Sequence, residues 1–152
     1  MKRLREALSG IDKVILDTSF VLPYVGVRIR ELDVDVAVHL GNVERYYPYL
    51  LIPELMGVLI KVCRKMGFEN ITEDVLTRFN SLIYGGDIGL IYPDGEDIRL
   101  VYKLLGEGFN DIFDAILYST SIRSGISILT LDKMLLEFLI DKGFYTGNII
   151  VI

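Results

Sequence analysis

The stretch DIFDAILYSTSIRSGISILTLD, Asp111 to Asp132, decides the fold of this chain. Ile112 to Ser124 reads as a helix closed by Gly125, a residue type that accepts the left-handed backbone common at helix ends. Ser127-Ile128-Leu129-Thr130-Leu131-Asp132 then reads as a strand that ends in an acid. Helix, glycine, short apolar strand and acid is the rhythm of an α/β protein.

Outward from this stretch the rhythm repeats. Val14-Ile15-Leu16 is a β-branched-rich run, expected to be a first buried parallel strand ending at Asp17. Tyr49 to Ile52, stopped by Pro53, is a second candidate strand, Ile88 to Tyr92 a third, and Ile149 to Ile152 the last. Helices are expected over Ser19–Val27, with Thr18 or Ser19 as cap, and over Glu54–Met66 with Gly67 as stop. Further helices are expected from Thr72 to Gly85-Gly86, over Asp97–Leu105 after the Pro93-Asp94-Gly95 turn, and over Lys133–Lys142 before Gly143. Arg28 to Tyr47 reads as one or two helices. The whole predicts a single three-layer α/β domain over residues 1–152, with a mainly parallel central sheet flanked by helices and residues 1–12 as an N-terminal extension.

Bulk properties agree with one folded unit. A chain of 152 residues with 51% hydrophobic residues can bury one substantial core. Its mean hydropathy is +0.42, yet each apolar run is cut by a charge, Pro or Gly short of the ~20 residues a membrane helix needs. Met1 to Ser9 does not read as a secretory signal. The single cysteine, Cys63, lies in an apolar helical pattern and reads as a buried thiol, so a cytoplasmic location is expected. One histidine, His39, leaves no His pair for zinc and no Ser-His set, so any chemistry falls mainly to carboxylates. The formal net charge of −5 argues against a strongly basic nucleic-acid surface, although a site of four carboxylates would account for most of it.

Asp17 and Asp132 close predicted strands, Asp114 lies at the opening of a helix, and Glu54 starts the helix after the second strand. Ligands of open α/β sheets bind outside the carboxyl ends of the strands, so acids delivered there can converge from distant positions. A cluster of carboxylates suits hard cations such as Mg²⁺ or Mn²⁺, which prefer oxygen ligands and activate water against phosphodiesters. Each acid alone also has a structural explanation. Asp17 could cap the next helix, Asp111 and Asp114 sit where helix-start acids are common, Asp132-Lys133 could be a plain strand-to-helix turn, and Glu54 suits a first helical turn.

At these residues the chain resembles the PIN-domain family, which includes toxin ribonucleases of the VapC type and RNA-processing nucleases. Val14-Ile15-Leu16-Asp17-Thr18-Ser19 is similar to that family's opening strand and first metal acid, and Pro53-Glu54-Leu55-Met56-Gly57-Val58-Leu59 to its second. The closest likeness is Asp111 to Ser121 with Gly125 to Asp132, which resembles the third acid, its helix and the strand ending in Thr-x-Asp. The resemblance runs from about Val14 to Ile152 and implies a PIN-like, Rossmann-like fold and a metal-dependent endoribonuclease. It implies Asp17, Glu54, Asp114 and Asp132 as ligands of one or two Mg²⁺ or Mn²⁺, with Asp111 as a further acid. Asp111 and Asp114 both remain open as the direct ligand, Asp114 being preferred because Ala115-Ile116 follows it. Thr18, Ser19 and Thr130 would support the site. RNA as substrate, an antitoxin protein and a homo-oligomer are the implied partners. Leu135, Leu136, Phe138 and Leu139 are a candidate contact face, with core packing the simpler explanation. The chain departs from the family in its longer lead, Met1 to Lys13, and in lacking Arg and Lys clustered beside the acids.

Rival readings are a PIN-like scaffold of little activity, a phosphohydrolase and a receiver-like domain. A phosphatase of the haloacid-dehalogenase kind needs a second Asp where this chain has Ser19, and a receiver needs an acidic pair that is missing here.

Overall fold

Four short runs with few charges, and a fifth that carries Glu44 and Arg45, pair side by side in a computed structural model that describes residues 2–29, 32 and 40–152, the side chains of residues 2, 3 and 5 apart. The strands are β1 (Lys13–Leu16), β2 (Glu44–Pro48), β3 (Gly89–Ile91), β4 (Ser127–Thr130) and β5 (Ile149–Val151). All are parallel, in the order β3-β2-β1-β4-β5. The chain therefore builds outward from β1 on one side and then returns to β1's other side, which makes the gap between β1 and β4 the switch point. Central β1 and its neighbour β4 are the deeply covered strands, with Val14, Ile15 and Leu16 and with Ile128, Leu129 and Thr130 fully buried.

Helices α1 (Lys2–Ala7), α2 (Thr18–Val21), α3 (Ile52–Lys65), α4 (Glu73–Tyr84), α5 (Gly95–Gly106), α6 (Ile112–Ser124) and α7 (Lys133–Asp141) flank the sheet. Leu4 and Leu8 from the N-terminal extension reach the core. The expected helix α6 is found with the bounds read from the sequence, and Gly125 closes it at φ 68°. A Cβ there would force a left-handed backbone on an L-residue, so Gly125→Ala is expected to cost about 1–2 kcal/mol in urea denaturation. An unchanged midpoint would show that the helix end can relax.

Two expectations are corrected. The second strand is Glu44–Pro48, and Tyr49–Leu51 form instead a 3-10 turn that leads into α3. Pro53 lies in the first turn of α3, where its missing N–H costs nothing, so it starts a helix and does not stop a strand. The helix expected over Ser19–Val27 is α2 followed by a 3-10 turn, Leu22–Val25, that ends at Gly26. Pro23 has no N–H to continue the α ladder, which explains the change of pitch.

Of the helices expected between residues 28 and 47, residues 30, 31 and 33–39 lie outside the described residues, as does His39. Leu135 and Leu139 are fully buried, so the contact face proposed on them is consumed by the core. Cys63 is buried. Among the described residues no helix is long and apolar enough to cross a membrane.

Candidate active site

The register carries acids to one edge. Leu16 pairs with Leu129, and the Asp17 amide donates to the Leu129 carbonyl at 3.0 Å, so Asp17 emerges level with Thr130 across the switch point. Thr130 Oγ1 donates to Asp17 Oδ2 at 2.7 Å, and Ser19 Oγ donates to the same oxygen at 3.0 Å. Asp17 occupies the N-cap position of α2, yet its side chain makes no capping bond. The capping explanation for Asp17 therefore does not account for where its carboxylate points.

Glu54 comes from the first turn of α3 and is held from below. Thr18 Oγ1 donates to Glu54 Oε2 at 2.6 Å and lies 2.9 Å from the Tyr47 hydroxyl, which donates to the Leu51 carbonyl at 2.9 Å. With an ionised Glu54, two hydroxyl protons must serve three contacts. A proton on Glu54 would complete the chain. Tyr47 is fully buried and was not singled out from the sequence. Its partner Thr18 lies 29 positions away, and no local pattern announces such a contact.

Asp111 and Asp132 act as helix caps. Asp111 Oδ1 accepts from the Phe113 and Asp114 amides at 2.9 and 3.2 Å, and Asp132 Oδ1 accepts from the Met134 amide at 2.7 Å. Thr130 serves twice, since its Oγ1 also accepts the Asp132 amide at 2.9 Å. Asp114 lies in the first turn of α6, and its carboxylate accepts no hydrogen bond from the described residues.

The electrostatics show that these acids feel one another. Burial pushes Asp114 up to about 8, and the charges of Asp111, Asp17, Asp132 and Glu54 push in the same direction. Burial also raises Asp17, against the hydrogen bonds of Thr130 and Ser19 and the Thr18 amide, while the charge of Asp132 adds to the rise. Glu54 is raised by burial, lowered in part by Thr18, and raised again by Asp17 and Asp111. Among the described residues the charges acting on these three acids are all carboxylates. No described Lys or Arg compensates them.

Thr130→Val would remove the shortest hydrogen bond to Asp17 and take the acceptor from the half-buried Asp132 amide, Thr130 itself being fully buried. A loss of about 1–3 kcal/mol is expected in urea denaturation. A neutral outcome would mean that water replaces both contacts.

The donor set tests whether a metal fits. It consists of carboxylate oxygens with hydroxyls behind them, which suits a hard cation and not zinc or copper. As the side chains stand, no three His, Cys, Asp or Glu among the described residues are close enough to hold a metal ion. The acids share a field without yet sharing a coordination sphere. Compared with known proteins, the chain matches no family model and no curated protein.

Proposed function

We propose that this chain is a divalent-metal-dependent endoribonuclease that hydrolyses RNA phosphodiester bonds. Asp17, Glu54, Asp114 and Asp132 would hold Mg²⁺ or Mn²⁺, with Asp111 beside them. The observation that supports this reading is the gathering of five carboxylates, from Asp17 to Asp132, at the switch-point edge without a compensating cation among the described residues. A bound ion of this kind polarises a phosphoryl oxygen and makes hydroxide available near neutral pH.

The chain's own residues prepare that chemistry. Ser19 and Thr130 fix Asp17, and Thr18 fixes Glu54, so both acids are pre-positioned from behind. Asp114 lacks such a holder and can turn toward an ion, releasing its proton as the ion binds. The resemblance to PIN-domain proteins extends the proposal to a toxin–antitoxin pair, in which an antitoxin's basic side chain would enter the acid cluster. It also extends it to a cytoplasmic homo-oligomer.

One observation favours a second reading, a catalytically weak PIN-like RNA-binding or assembly scaffold. The acids do not converge on a common point. The two readings separate in one experiment, cleavage of a mixed RNA pool by purified protein with Mg²⁺, Mn²⁺ or chelator, alongside calorimetric titration with each metal. Metal-dependent cutting supports the nuclease. Absence of both cutting and metal binding supports the scaffold, and metal binding without cutting supports a site that has lost its activity.

A further inference from the structure

The acid edge does not end at β1. Ile15 pairs with Tyr46 and Pro48 with Ile91, so the residues just past β2 and β3, Tyr49 and Tyr92, emerge side by side on the same edge. Their rings stack, with centroids 4.9 Å apart and planes 27° from parallel. Neither ring is covered, Tyr49 being 42% and Tyr92 62% exposed. Neighbouring strands lie about 4.8 Å apart, which puts the pair one to two strand spacings from Asp17. That is about the reach of one nucleotide from a phosphate held at the acids.

The pair is also anchored. Tyr49 belongs to the same 3-10 turn that presents the Leu51 carbonyl to Tyr47, the hydroxyl that backs Thr18 and Glu54. The Tyr92 carbonyl accepts from the Arg123 guanidinium at 2.8 Å. Two exposed aromatic rings on backbone tied down in this way, one by a buried and one by a surface hydrogen bond, with no polar use of their own hydroxyls among the described residues, form a platform and not a flexible cover. Leu50 beside Tyr49, Ile112 beside Asp111 and Met134 two positions past Asp132 are exposed apolar side chains as well.

We propose that Tyr49 and Tyr92 form a stacking platform that takes one unpaired base of an RNA whose phosphate lies at the acids. This rests on the nuclease reading and deepens it. It also explains how a chain of net charge −5 can engage RNA. Stacking on a π-face needs no basic stripe, whereas a duplex hides its base faces and offers mainly phosphates. Binding should accordingly depend weakly on salt, with a slope corresponding to about one or two neutralised phosphates.

The test uses a fluorescein-labelled twelve-nucleotide oligouridylate, alone or annealed to oligoadenylate, titrated with Asp114→Asn protein in Mg²⁺ and followed by anisotropy. The single strand is expected to bind more tightly than the duplex. Tyr92→Ala and Tyr49→Ala should each weaken it about tenfold to a hundredfold, while Tyr92→Phe retains binding because it keeps the ring. In the active protein the same alanine variants should raise KM with little change in kcat. Equal binding of duplex, or alanine variants that bind as the parent does while wild type still cleaves, would overturn the platform and leave the nuclease standing. A wild type that neither cleaves RNA nor binds the oligomer would overturn the nuclease reading and the platform with it.

Discussion

Asp114→Asn is expected to lower metal-dependent RNA cleavage by at least about a hundredfold, since even residues behind a metal ligand are worth ten- to a hundredfold. The same substitution should stabilise the metal-free protein at alkaline pH. Asp114 is an acid whose folded pKa, about 8, lies far above the ordinary 3.8. Below about pH 4 both folded and unfolded chains hold the proton, and its contribution to stability is complete. As the pH rises the unfolded chain gives the proton up while the folded chain resists, so stability falls until the pH passes about 8. Asp17 and Glu54 are shifted in the same direction and add to the fall.

Metal-free wild type should therefore melt at progressively lower temperature from pH 5 to pH 8, and Asp114→Asn should flatten that slope. Millimolar Mg²⁺ or Mn²⁺ should restore much of the loss at pH 8 in wild type by binding the folded state, and less in the variant. Thermal melts across this range, with and without metal, measure all three effects. A wild type whose melting temperature is constant or rises from pH 5 to 8 would contradict the coupled acid cluster. Unchanged cleavage in Asp114→Asn would remove Asp114 from the site and return Asp111 as the candidate ligand.

Arg123→Ala is expected to destabilise the fold by about 1–3 kcal/mol, because it leaves the buried Asp97 carboxylate without its charged donor while Arg123 itself lies at the surface. Asp97 is only 4% exposed. Its carboxylate accepts from Arg123 Nε at 3.1 and 3.0 Å, from Ser119 Oγ at 2.7 Å and from the Asp94 amide at 2.8 Å. The last bond is half of a capping box that starts α5, so the pair ties the start of α5 to the end of α6. Burial pushes the Asp97 carboxyl up, but Arg123, Ser119 and the Asp94 amide outweigh it and hold the pKa below its ordinary value.

The sign is thus opposite to that of Asp114. Stability from Asp97 is present above about pH 4 and is lost as the pH falls through its lowered pKa. Arg123→Ala should shrink that acid-side loss as well as lower the urea midpoint. A change within about 0.5 kcal/mol, the range of ordinary surface substitutions, would show that the pair is not structural.

The two sites differ in how far the sequence announced them. Asp17, Glu54, Asp111, Asp114 and Asp132 stood out because each borders an element whose pattern is local, such as the apolar run of β1 or the glycine stop of α6. Thr18, Ser19 and Thr130 were named beside them, and in the structure they bond to Asp17, Glu54 or the Asp132 amide. The Asp97–Arg123 pair carried no signal, because its members lie 26 positions apart and each is ordinary in a helix. Tyr49 and Tyr92 were read only as strand ends. The misplacement of β2 has a similar cause, since a proline can close a strand or open a helix, and Pro48 does the first while Pro53 does the second.

The sequence by itself determined the alternation of strands and helices, the ends of α6, and a donor set restricted largely to carboxylates. These follow from hydrophobic period, glycine backbone freedom and residue chemistry, which act within a few positions of the chain. Only the tertiary structure decided the strand order around β1, the burial and then the shared field that drive Asp114 to about 8, and the stacking of Tyr49 on Tyr92. Each of these depends on the distance and burial of groups far apart in the chain, quantities set when the sheet closes its register and not before.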